Sequence, residues 1–245
     1  MGPKHPVLFR EVVIKHGDTI KTLCGNNIAI YDNDINTEFR HLNQNLKLLV
    51  PGTKIIIPEG DKRRTEDLLR DLPKNTTAAE IGVYEGDSSS IILRETSPKK
   101  LYMIDCWRKQ PYEEYSQKIN ELSDYEFDEL YLKCIKRLKK EICEGQVIIL
   151  RGLSQKLYDF FDNHSLDIIY IDGNHSYSAC YADLINYYPK IKPGGLIWGK
   201  SYRNWKYSEN YYVRIKDAVD DFVKNYNVTL EAVSFIGFGW YLIRC

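Results

Sequence analysis

From about residue 67 onward the chain alternates strand-length apolar runs with stretches of helical spacing, and this alternation limits the fold more than any other feature. "AAEIGVY" reads as a buried strand and "SSSIILRET" as the helix after it. "KLYMIDCW" is a second strand, followed by "DYEFDELYLKCIKRLKKEI", whose apolar residues recur at helical spacing. "QVIILRG", "LDIIYIDG" and "GLIWG" continue the strands; "SQKLYDFF", "SACYADLINYYPKI" and "RIKDAVDDFVKNY" supply the helices. Such alternation builds a mostly parallel sheet covered by helices. The closing runs "VTLEAVSF" and "GWYLIRC" have no helix between them and predict an antiparallel pair. The expected fold class is α/β: a Rossmann-like, seven-stranded, mostly parallel sheet with a C-terminal antiparallel hairpin, preceded by a small α+β domain.

Residues 1–60 form that first unit and 61–245 the second, joined by the charge-rich "EGDKRRTED". The first unit has an apolar stretch, "FREVVIKHGDT", and a second strand-like run, "TKIIIPEG", after the turn at Pro51 and Gly52. Asp18 or Thr19 can cap a first helix, the segment at Leu42 and Asn43 ends a second, and the two strands pair. "VVIKHGDTIKTLC" followed by "LNQNLKLLVPGTKIIIP" resembles a LysM module over about Glu11 to Pro58. The resemblance implies a shallow groove for N-acetylglucosamine-containing glycans beside the G-D-T turn. A structural or docking role is the alternative. The middle, "CGNNIAIYDNDINTEF", is about five residues longer than the usual pattern, and Cys24 replaces a small residue.

Lys plus Arg equals Asp plus Glu at 34 each, so no global field favours nucleic acid or an acidic membrane surface. No apolar run approaches the ~20 residues of a membrane span, and the start, "MGPKHPVLFREVV", lacks the apolar core of a secretory signal. A soluble, cytoplasmic protein is expected. Its six cysteines contain no C-x-x-C pair, which suits reduced thiols.

In "EIGVYEGDSSS", Gly82 and Gly86 stand between a strand and the helix that Ser88 would begin, where backbone can approach a ligand and a helix N-terminus favours an anionic group. Asp105 ends the next strand, about twenty residues on, where a carboxylate can accept ribose hydroxyls. The glycine spacing, E-x-G-x-x-x-G, departs from the dinucleotide pattern G-x-G-x-x-G and argues against a nicotinamide cofactor. From about Leu68 to Cys245 the marks "EIGVYEGDSS", "LYMIDCW", "RGLSQ", "LDIIYIDGNHSYSACYADL" and "KPGGLIWGKSY" occur in order. In these the chain resembles the class I S-adenosylmethionine-dependent methyltransferases, in the branch of macrocin-type sugar O-methyltransferases and cephalosporin hydroxylase-like proteins. The resemblance implies S-adenosyl-L-methionine as cofactor and O-methylation of a sugar, glycan or other small molecule. It would place Glu80, Gly82, Tyr84, Gly86 and Ser88 around the methionine part, Asp105 on the ribose, Trp107 against the adenine and Ser154 near the adenine edge.

"YIDGNHSY" puts Asp172 and His175 just beyond the fourth strand, at the edge where open α/β sheets bind ligands. His175 is suited to take the acceptor proton; Asp172 can orient it, bind substrate or ligate a metal. Alternatively "DGNH" is an Asx-type turn that caps the next helix. Metal-assisted members of this branch carry acidic residues where this chain has Lys200, Ser201 and Tyr202, so no metal site is expected. A catalytically inactive scaffold is the alternative reading. "PGGLIWGKSY" also matches the phosphate-loop pattern G-x-x-x-x-G-K-[ST], but its middle reads as strand preceded by a helix end and a P-G-G turn, and "YRNWKYSEN" after it reads as a loop, so no phosphate cradle is expected.

Overall fold

The structure, a computed structural model, describes residues 72–110, 121–208, 211–226, 228–234 and 239–244, and three strands nearer the N-terminus. Those three are β1 (Leu8–Val13), β2 (Tyr31–Asp32) and β3 (Lys54–Glu59). β1 and β3 pair antiparallel from Leu8 opposite Glu59 to Val13 opposite Lys54, and β2 adds to β3. The pairing of β1 with β3 is the one expected from the sequence; β2 adds to the other edge of β3, which is the central strand. The two expected helices, Cys24 and the boundary near residue 60 lie outside the described residues.

The remaining strands are β4 (Thr77–Ile81), β5 (Lys100–Asp105), β6 (Val147–Arg151), β7 (Leu166–Ile171), β8 (Ile191–Gly199), β9 (Asn204–Ser208), β10 (Tyr211–Arg214), β11 (Thr229–Ser234) and β12 (Gly239–Ile243). Seven of them form the main sheet, in the order β11-β12-β8-β7-β4-β5-β6. β6, β5, β4, β7 and β8 run parallel to one another, whereas β12 is antiparallel to both β8 and β11. The strand order reverses between β4 and β7, and a crevice opens at such a point.

β4 and β7 are buried almost throughout, as central strands covered on both faces must be. Alternate residues serve opposite faces. Ala79, Ile81, Ile169, Ile171 and Ile197 pack with Leu184 of α5 (Tyr177–Tyr187) and Phe222 of α6 (Ile215–Tyr226). Ala78, Met103, Ile168, Tyr170 and Trp198 pack with Ile92 of α1 (Asp87–Thr96) and Phe127 of α2 (Asp124–Arg137). One polar side chain interrupts this second face: Glu80, in register between Met103 and Tyr170.

Local signals set the helix starts. Ser123 and Glu126 form a reciprocal capping box at α2, an arrangement worth roughly 1 kcal/mol. Ser176 accepts the Ala179 amide at α5. α1 begins at Asp87, one residue before the expected Ser88, because Gly86 itself turns the chain at φ 78°. Two short helices, α3 (Lys139–Cys143) and α4 (Ser154–Leu157), flank β6.

Two readings need correction. "YRNWKYSEN" is not a loop: β9 pairs antiparallel with β10 as a hairpin between β8 and α6. Its exposed Asn204, half-buried Trp205 and exposed Lys206 have the period-two pattern that marks a strand. The P-G-G turn is instead part of β8, taken up by a register shift against β7. The phosphate-loop spelling therefore falls on strand, with another strand after it. Among the described residues no helix is long and apolar enough to cross a membrane.

Candidate active site

The carboxyl ends of β4, β5, β6 and β7 surround a cleft of about 250 Å³. Of the eight residues expected around a cofactor, Gly82, Asp105 and Ser154 line it. Gly82 sits at φ 85°, and a Cβ there would lie 2.3 Å from the Asp172 carbonyl oxygen. Its amide bonds the Ile104 carbonyl at 2.9 Å, and the Asp172 amide bonds the Ile81 carbonyl at 2.8 Å. Glycine here lets the turns after β4 and β7 touch.

Asp105 holds the loop after β4. Its Oδ2 accepts the Val83 and Tyr84 amides, each at 2.9 Å, and its Oδ1 accepts the Trp107 amide at 2.9 Å. A carboxylate has about four acceptor positions, so roughly one remains for a ribose hydroxyl, where the sequence suggested two. Trp107 does not line this cleft. It is 1% exposed, packs on Tyr131 at 5.0 Å between ring centroids, and donates from Nε1 to the Tyr84 carbonyl at 2.8 Å. Its large ring is buried under the loop.

Glu80, Tyr84, Gly86 and Ser88 gather at the β4–α1 junction beside the cleft. Tyr84 is exposed at φ 55°; Gly86 caps α1, and Ser88 lies in its first turn, with its hydroxyl bonded to the Tyr170 phenol. Glu80 is fully buried, its Oε2 accepting the Ser89 hydroxyl, while Oε1 has no hydrogen-bond partner among the described residues. Burial pushes its carboxyl up to about 8, opposed by the Ser89 hydrogen bond and reinforced by the Asp172 and Asp105 carboxylates. A buried acid with one orphaned oxygen is suited to a ligand ammonium, as the methionine end of S-adenosylmethionine carries, and the nucleoside-sized cleft adjoins it.

Asp172 and His175 meet at the end of β7. Asp172 Oδ1 lies 3.1 Å from His175 Nε2; Oδ2 accepts the Tyr170 phenol at 3.0 Å and lies 3.6 Å from the Lys200 ammonium. A carboxylate only accepts, so the contact assigns the imidazole proton to Nε2 and leaves the Nδ1 lone pair free. The Asx turn is present as well, since Asn174 Oδ1 accepts the Ser176 amide at 2.9 Å, but the residue that caps α5 is Ser176 and not His175. The Arg214 amide at the end of β10 bonds the His175 carbonyl at 2.9 Å, tying the hairpin to this loop. Lys200 follows β8, and its carbonyl accepts Trp240 Nε1 at 3.1 Å. The Trp240 ring lies against Gly199, where a Cβ would come within 2.3 Å of it. Among the described residues no group of three or more His, Cys, Asp or Glu side chains is placed to hold a metal ion.

One residue of the cleft escaped the sequence reading. Asp183 of α5 is 2% exposed and lines the cleft; its Oδ1 accepts the Ser154 hydroxyl at 2.6 Å and Gln155 Nε2 at 3.4 Å. Burial raises its carboxyl to about 7, opposed by the Ser154 hydrogen bond. The signal was present: Asp183 shares a helical stripe with Cys180, Leu184 and Tyr187, all buried.

Solved structures share this architecture at low identity. A candidate caffeoyl-CoA O-methyltransferase from Staphylococcus aureus is 20% identical with a TM-score of 0.52, covering 76% of this chain and 86% of its own. The O-methyltransferase NovP is 17% identical with a TM-score of 0.50, over 73% and 78% respectively. SMU.1697c, a candidate methyltransferase of Streptococcus mutans solved with S-adenosylhomocysteine, is 15% identical with a TM-score of 0.51, over 76% and 100%. No curated protein matches the chain in sequence. Residues 79–202, just over half of the chain, match the family model described as "Methyltransferase domain", and the chain belongs to that family.

Proposed function

We propose that the protein is an O-methyltransferase that uses S-adenosyl-L-methionine and acts on a hydroxyl of a sugar, glycan or other small molecule. The observation that carries this reading is the Asp172–His175 pair beside a nucleoside-sized cleft, in a chain of the methyltransferase domain family. The cofactor, when bound, supplies a methyl group on a positively charged sulfur. Gly82, Asp105 and Ser154 would hold its nucleoside part, and Glu80 with the first turn of α1 would face its amino-acid part. His175 Nδ1 would take the proton of the acceptor hydroxyl, while Nε2–H stays hydrogen-bonded to Asp172 Oδ1. Lys200 balances the Asp172 charge.

The N-terminal unit, residues 1–60, is a LysM-like module that brings a glycan bearing N-acetylglucosamine to the protein; residues 61–245 are the catalytic domain. The pairing of β1 with β3 and the G-D-T and P-G-x-x-I-x-I-P segments support this reading. Isothermal titration with S-adenosylmethionine and S-adenosylhomocysteine tests the catalytic reading. Micromolar binding is expected, and a folded protein that binds neither refutes it.

A further inference from the structure

Asp183 has hydrogen bonds on one oxygen only. Ser154 and Gln155 both donate to Oδ1, and among the described residues no donor or acceptor meets Oδ2. Oδ2 lies beside Gly173, within 3.8 Å of where a Cβ on that glycine would be, and Gly173 also lines the cleft. Oδ2 is not sealed from solvent, so on a side chain otherwise 2% exposed it is open to the cleft, where a bound group can reach it. Asp183 meets the cleft beside Ser154, Gln155 and Gly173.

We propose that Asp183 reads the base of the bound nucleoside, its Oδ2 carrying a proton that it donates to a ring nitrogen of the purine. This rests on the cleft being a nucleoside site, as the proposed function has it. With Oδ1 saturated by two donors, the proton belongs on Oδ2, which makes the carboxylic acid a donor aimed at the ligand. Covering it with a base strips away the remaining solvent, which disfavours the ionised form. The raised value of about 7 in the free protein has the same origin and sets where the effect is seen.

Of the other groups around the cleft, Glu80 ionises in the same range, at about 8, and is common to wild type and the Asp183 variants, so their difference isolates Asp183. On its own helix, burial pushes the Cys180 thiol and the Tyr187 phenol well above their usual values. α4 contributes only Ser154 and Gln155, and the turn after β7 contributes Gly173 and Asn174. From the end of β5, Cys106 is pushed up to about 11 by burial, and Asp105 is occupied by backbone amides.

Calorimetric titration of the full chain with adenosine from pH 6 to 9 tests the proposal, because adenosine has no group ionising in that range and does not reach Glu80. Wild-type affinity is expected to be level below about pH 7 and to fall roughly tenfold per unit above it, with proton uptake on binding. Asp183→Asn keeps the Ser154 bond and offers an amide donor, so it binds at near the wild-type low-pH affinity at every pH; Asp183→Ala binds at least about tenfold more weakly. A level wild-type profile, affinity that rises with pH, or Asp183→Asn as weak as Asp183→Ala overturns the assignment and leaves the methyltransferase reading intact. Failure of both adenosine and S-adenosylhomocysteine to bind at any pH overturns the two together.

Discussion

Replacing Glu80 by glutamine should change how stability depends on pH, in a direction fixed by the burial of this side chain. The carboxyl ionises at about 8 in the native state against an ordinary 4.5. Between those values the folded protein keeps a proton that the unfolded chain has released, so stability falls as pH rises and the loss is complete near pH 8. At about 1.4 kcal/mol per unit, the window from pH 5.5 to 8 contains roughly 3 kcal/mol. Glutamine retains an oxygen for Ser89 and cannot ionise. Any constant cost of its amide, left opposite the orphaned position, does not vary with pH. Urea unfolding of wild type and Glu80→Gln at several pH values isolates the effect, since Asp183 and every other titrating group is common to both. The variant should gain on wild type by about 3 kcal/mol across that window. A difference that stays constant with pH would refute the claim that Glu80 is protonated when folded.

Gly82→Ala should destabilise the domain by about 3 kcal/mol or more, because its Cβ meets the Asp172 carbonyl oxygen and its φ is positive; a thermal midpoint equal to wild type would contradict this contact. His175→Asn should lower the turnover of labelled methyl groups into a hydroxylated acceptor by about 10²- to 10⁴-fold. It should leave S-adenosylhomocysteine affinity unchanged, and loss of affinity with turnover retained would remove His175 from the acceptor side.

Much of the sheet was legible because central parallel strands must be apolar on both faces, and "TAAEI" and "LDIIYI" are written that way. The cleft was legible where glycine or a strand-end carboxylate marks it, as at Gly82 and Asp105. Trp107 and Asp183 show what local pattern cannot supply. An aromatic residue after a strand can face outward or turn under the loop, and here a hydrogen bond to the Tyr84 carbonyl and the Tyr131 ring decide for the latter. The helical stripe marks Asp183 as buried but not its partner, Ser154, which is 29 residues away in sequence. The hairpin after Lys200 was missed because its aromatic alternation is short and carries no paired turn signal.

The Trp240 indole, laid on Gly199 and bonded to the Lys200 carbonyl, makes the last strand of the main sheet a prop for one residue beside the cleft. Every residue lining the cleft lies between Ile81 and Asp183, whereas Lys200 is held from two sides, by the Ile171 carbonyl and Asp172 at the end of β7 and by Trp240 of β12. Changes in β12 can therefore reach the Lys200 edge without replacing any residue of the cleft wall.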